Sequence, residues 1–158
     1  MPWYPKAILS VVAALVLALA VVRPLRAWAL TTDIRYLIAF HIVRFVGFYF
    51  LFLYSLYELP YNFAVFGGLG DIVVAILALV VIFFFARFSP AVVSWNLLGL
   101  ADIVAVAVTA ARDEMAAPGS MHMLDRFPLI LLPTCIVPLI IVTHGLMLVR
   151  AASPGQER

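Results

Sequence analysis

Apolar residues in this chain run in stretches of about twenty. Short clusters of Pro, Gly, Thr and Arg break them up, and there is no strand-like alternation of apolar and polar positions. Five such stretches qualify as membrane-spanning helices: 5–22, 33–57, 66–86, 90–111 and 128–149. At 1.5 Å per residue each of the last four covers about 30 Å, the thickness of a hydrocarbon core. The first is shorter, and snorkelling of Lys6 and of the arginines behind it extends its reach. Thr31 or Thr32 is expected to cap the second span, and Pro60 closes it. Arg87 closes the third, Pro90 takes the favoured first turn of the fourth, and Arg150 stops the fifth. No internal repeat is visible, so an inverted-repeat transporter is not supported.

Composition sharpens this into a fold class. Of 158 residues, 66% are hydrophobic and 11% charged, where a soluble domain carries about 25% charged residues. No polar segment is long enough to fold separately. The expectation is therefore all-α: a single transmembrane domain over 1–158, an integral bundle of five helices in contact with the lipid bilayer. The net charge of +2 is scattered over short loops without a basic tract, which argues against a nucleic-acid partner. Arg23 and Arg26 directly follow the first apolar run. Positive charge there hinders translocation, so a retained first helix is expected rather than a removable leader, despite the small-x-small pattern at Ala27-Trp28-Ala29. Cys135 is the single cysteine, so no internal disulfide forms.

Orientation follows from the placement of Lys and Arg. One side carries Arg23, Arg26, Arg35, Arg87, Arg150 and Arg158, and the other only Lys6, Arg112 and Arg126. This bias predicts the N-terminus outside and the C-terminus in the cytoplasm.

Counting inward from the helix ends then groups the ionisable residues by depth. His41 and His144 each lie six residues from a cytoplasmic-end arginine, about 9 Å inward, on helices running in opposite directions. Asn96, six residues past Pro90, belongs to the same level, and Arg44 sits one turn deeper with Asp102 closest to it. A charged residue at a helix centre costs at least about 2.5 kcal/mol to insert, so it faces the protein interior and pairs. Arg44 with Asp102 is the expected pair. His41, Arg44, Phe48, Leu51, Ser55 and Glu58 fall on one stripe of the second span; Asn96, Gly99 and Asp102 share an arc of the fourth. Pro133 and Pro138 should kink the fifth. Glu58, Asp71, Asp125 and Arg126 are expected at the outer side, with Asp71 stabilised at the start of the third span behind the glycines of "FGGLGDI".

Three functional readings of the layer His41, Arg44, Asn96, Asp102 and His144 stand side by side. It binds or conducts a proton, an ion or a small solute, the default for intramembrane ionisable groups. Alternatively it is structural, a set of polar pairs that fix helix packing or assembly. In the third reading His41 and His144 are the axial ligands of a b-type haem, with Arg44 or Arg35 on the propionates and Phe45 or Phe48 against the ring. The outer loop adds a soft-metal candidate, Met121-His122-Met123 with Met115, whose thioethers and imidazole suit Cu(I). No metalloprotease helix, nucleophile elbow or cysteine pair is present, so nothing points to an enzyme; Ser55, Ser94 and Cys135 read as helix-packing residues. Oligomerisation is left open.

"SWNLLGLADIV" at 94–104, "RFPLILLPTCIVPLIIVTHGLMLVR" at 126–150 and "GDIVV" at 70–74 resemble a group of uncharacterised small bacterial multi-pass inner-membrane proteins. The resemblance covers residues 35–150, leaves the first span outside, and implies an inner-membrane location but no activity. The span count is similar to that of the tryptophan-rich sensory proteins that bind porphyrins and cholesterol. The sequence departs from them in having only Trp3, Trp28 and Trp95 and none of their tryptophan-laden loops.

Overall fold

The computed structural model describes residues 2–85 and 90–152. Arg87 and Arg158, used above for orientation, and Ala86, the expected end of the third span, lie outside the described residues. Among those described there is no strand. Five helices are long and apolar enough to cross a membrane: Trp3–Val21, Ile34–Ser55, Asn62–Phe84, Pro90–Ala116 and Leu132–Ala151. The protein is thus a helical bundle suited to contact with a lipid bilayer.

The ends of these helices differ from expectation for local chemical reasons. Asp33, not Thr31 or Thr32, caps the second long helix, its carboxylate accepting the backbone N–H of Arg35 at 2.8 Å. Both threonines instead donate their hydroxyls back to Trp28 O or Ala27 O. They close a short helix, Arg23–Thr31, in a stretch that apolar periodicity leaves as a loop. At its far end the second helix stops at Ser55, before the expected Tyr57. Tyr57 takes a left-handed backbone at φ 61°, and Glu58 N–H reaches back to Leu53 O at 3.0 Å, a Schellman-type turn. The third helix begins at Asn62, a turn earlier than expected, with a π-helical segment over Asn62–Gly67. The fourth runs to Ala116, past the expected 111, and the fifth enters through a second π-helical segment, Leu132–Ile136, around Pro133.

A 3₁₀ segment, His41–Phe45, interrupts the second helix at the depth of the polar residues. It turns about 120° per residue against about 100° for an α-helix, so residues three apart eclipse. His41 and Arg44 are therefore superposed on one face. Over five residues the extra turn accumulates to roughly 100°, which reassigns the rest of the stripe. Beyond Arg44 the buried positions are Gly47, Phe50 and Leu53, whereas Phe48 is 56% exposed and Ser55 also faces outward.

Two apolar clusters occupy the bundle interior. One gathers Tyr4, Phe50, Phe63, Val106, Leu124 and Leu132 at the end where the connection between Ala116 and Leu132 lies. The other gathers Ile38, Val74, Val92, Trp95 and Met147 toward the arginine-rich end. On every helix from second to fifth, the buried polar residues fall between these clusters in sequence and in space.

Candidate functional site

Close helix approach builds the site. Gly47 and Gly68 meet where the second and third helices pack: a Cβ on Gly47 would overlap the carbonyl oxygen of Gly68. One turn away on each antiparallel helix stand Arg44 and Asp71. Likewise a Cβ on Gly70 would overlap Asp102 Oδ1, so the third helix lies against the carboxylate of the fourth. Gly99 leaves room for the His144 imidazole, whose Cε1 would be 2.7 Å from a Cβ placed there.

Arg44 is 1% exposed and its guanidinium is engaged on three sides. Nε donates to Asp71 Oδ1 at 2.7 Å, Nη1 to the Gly99 carbonyl at 2.9 Å, and Nη2 to Asp102 Oδ2. Asp71 is buried, whereas the side chain of Asp102 keeps 19% of its surface exposed. The structure thus brings Arg44 and Asp102 together and corrects the expected position of Asp71. That carboxylate is not an outer-side group near Asp125 and Arg126, because its helix starts at Asn62. Nine residues, about 14 Å, separate it from that start.

One turn away lies the histidine level. His41 and His144 are fully buried, with ring centroids 4.1 Å apart. Trp95 packs edge-on against His41 at 5.2 Å and donates its indole N–H to Val74 O at 3.1 Å. Asn96 is buried and clasps the fifth helix twice. Its amide donates to His144 O at 3.1 Å, so its Oδ1 faces His144 Nδ1 at 2.6 Å. That nitrogen therefore carries the proton, and His144 Nε2 is a lone-pair acceptor. Thr143 donates its hydroxyl to Leu139 O at 2.8 Å and so accepts from His41 Nε2 at 3.2 Å. His41 Nδ1 is then also a lone-pair acceptor. Both of these open atoms, His41 Nδ1 and His144 Nε2, are buried without a hydrogen-bond partner.

Beside Arg44 and Asp71 a pocket of about 40 Å³ extends into the apolar cluster around Phe50, walled by Phe50, Ile103, Pro133 and Ile140. That is room for about two or three waters.

The expected haem does not fit. Two imidazoles that ligate one metal from opposite faces, each about 2 Å away, have ring centres roughly 6 Å apart with a macrocycle between them. Here the rings are in contact, and Arg44 is held by the two carboxylates. Arg35 is exposed, and Phe45 and Phe48 stack on each other at 5.9 Å. The soft-metal candidates sit in different surroundings. Met121 is 2% exposed within the outer apolar cluster, Met123 packs against that cluster, and Met115 is exposed. His122 engages both ring nitrogens, Nε2 with Glu58 Oε2 at 3.0 Å and Nδ1 with Gly119 O at 3.1 Å. Among the described residues no group of three or more His, Cys, Asp or Glu is arranged to hold a metal.

The other residues expected at the outer side lie apart from the polar layer. Asp125 accepts the Trp3 indole N–H at 2.7 Å, and Arg126 is exposed. Sequence reasoning passed over Glu114, which accepts the backbone N–H groups of Gly119 and Met121 at 2.8 and 3.0 Å and shapes the loop. It also passed over Thr143, whose hydroxyl orients His41 and which lies one residue before His144.

The chain belongs to a family described as Domain of unknown function (DUF8737), whose model matches residues 1–152. That match includes the first long helix, which the motif resemblance left outside. No curated protein and no solved structure matches the chain.

Proposed function

We propose that this member of the DUF8737 family is an integral protein of a bacterial inner membrane, with the N-terminus outside and the C-terminus in the cytoplasm. In this reading it binds a proton in the buried layer at mid-membrane. The carrying observation is one of charge and hydrogen-bond balance. Arg44 contributes +1 and Asp71 and Asp102 −1 each, so the ion-paired triad sums to −1. One helical turn away, two neighbouring imidazoles each keep one buried ring nitrogen without a hydrogen-bond partner. An excess negative charge held away from water is costly, and one proton or one monovalent cation removes it. The cavity beside the triad supports the smallest ligands. Its volume of about 40 Å³ lies far below the roughly 300–1,000 Å³ of small-molecule sites. The apolar clusters on both sides favour a bound, occluded proton over an open channel.

A specific observation also favours the structural alternative. The layer's bonds join the second helix to the third, fourth and fifth, and the fourth to the fifth. Solid-state NMR of the protein in lipid bilayers, with ¹⁵N-histidine and ¹³C-aspartate labels, separates the two. Proton binding predicts that one layer group, a carboxylate or an imidazole, changes protonation reversibly with pH while the helices stay packed. If both carboxylates stay ionised and both imidazoles neutral wherever the protein remains folded, the layer is a helix clasp.

A further inference from the structure

A second concave site lies away from the layer, at the arginine-rich end. The first long helix, the short helix Arg23–Thr31 and the fifth long helix enclose a groove of about 520 Å³. Its walls are apolar, formed by Val16, Leu19, Leu30 and Val142 among others, and Arg26 lines it as well. Val16 and Val149 in its wall are exposed, so the groove opens onto the outside of the bundle.

Its floor is open because of Gly145. A Cβ added there meets nothing within 4 Å, unlike the tightly packed Gly47, Gly68 and Gly99. The short helix is amphipathic, starts at Arg23, and presents Arg26 three residues on, with Trp28 65% exposed. Basic residues beside an exposed tryptophan are the pattern of a helix lying at the membrane–water boundary. Asp33, the acidic residue nearest to Arg26 in sequence, accepts a backbone N–H of its own helix. Arg150 donates to Thr32 O at 2.6 Å and ties the fifth helix to the end of the short one.

We propose that this groove binds an anionic phospholipid, with one acyl chain against Gly145 between the first and fifth helices and the phosphate paired with Arg26. The chemistry is that of a lipid and not of a protein partner. The groove is lined by apolar side chains, and among the described residues Arg26 is the one charged residue in its wall. A basic residue near the surface favours an anionic lipid by about 1 kcal/mol, which converts to about fivefold in affinity.

The test is native mass spectrometry of the full-length protein released from detergent, with phosphatidylglycerol or phosphatidylcholine added at graded concentrations. The wild type is expected to retain one phosphatidylglycerol about fivefold more tightly than phosphatidylcholine. Gly145→Leu places a side chain into open space and is expected to lose the retained lipid while remaining monodisperse on gel filtration. Arg26→Gln is expected to bring the two lipids to equal retention while keeping the tail site. Equal retention by the wild type, or full retention by Gly145→Leu, overturns the proposal. So does a dimer whose formation excludes lipid, because the groove is then an interface between copies of the chain.

Discussion

Gly47 and Gly68 face each other backbone to backbone, and a Cβ on Gly68 would stand 2.9 Å from the Gly47 carbonyl oxygen. This contact sets the distance between the second and third helices where Arg44 must reach Asp71. Because the obstructing atoms are backbone, neither helix can yield by a side-chain rotation. Gly47→Ala and Gly68→Ala are each expected to destabilise the fold by about 1–3 kcal/mol, as overpacking does. Gly145→Ala, with open space around it, is expected to be neutral or stabilising. Thermal unfolding in one detergent compares all three; equal melting temperatures would remove the glycine contact as the organising feature.

Removing Arg44 alone leaves the buried Asp71 and the partly buried Asp102 carboxylates without a cation. Arg44→Met is expected to cost about 3–5 kcal/mol. The triple variant Arg44→Met, Asp71→Leu, Asp102→Leu removes the charges together and is expected to recover most of that loss while abolishing reversible proton binding. A triple variant less stable than the single one contradicts this account of the triad.

The hydrogen bonds of Asn96 and Thr143 assign opposite tautomers to the two buried imidazoles. ¹⁵N spectra are expected to show His144 protonated at Nδ1 and His41 at Nε2 in their neutral forms. Asn96→Ala leaves His144 Nδ1–H without its acceptor. It is expected to cost about 1–3 kcal/mol and to release the His144 tautomer. Matching tautomers on the two rings would defeat this assignment.

Purified protein is expected to show no Soret band, because the contact between the His41 and His144 rings leaves no space for a macrocycle. Calorimetric titration of the reduced protein with Cu(I) is expected to show no uptake at Met121, His122 and Met123. The His122–Glu58 pair is well exposed on both sides, so His122→Ala should change stability by no more than about 1 kcal/mol. A Soret band that vanishes in His41→Ala would reverse the exclusion of haem.

Topology reporters fused to the C-terminus test the orientation. Green fluorescent protein is expected to fluoresce there, and alkaline phosphatase to remain inactive. The opposite pair of results inverts the assignment of sides.

The number of long helices, their rough extent and the pairing of Arg44 with Asp102 were legible in the chain. Twenty-residue apolar runs with arginine at their ends permit little else. Asp71 was not legible in its true place, because a start at Phe66 puts it near the membrane surface. The π-helical turn that moves the start back to Asn62 leaves no trace in hydrophobic periodicity. The stripe through Phe48, Leu51 and Ser55 failed for a related reason. A constant 100° per residue does not survive the 3₁₀ segment that stacks His41 over Arg44.

The sequence by itself determined that this is a helical bundle of bilayer-spanning length, with a few ionisable residues at mid-depth that need partners. Hydropathy is a property of composition over a window, and depth follows from counting along a helix axis. Only the tertiary structure decided which partners meet. It gave Arg44 two carboxylates instead of one, set the two imidazoles in contact with one ring nitrogen of each left without a partner, and left Gly145 facing an open groove. Those outcomes depend on helix rotation and on backbone approach at single glycines, and neither is encoded in a local stretch of the chain.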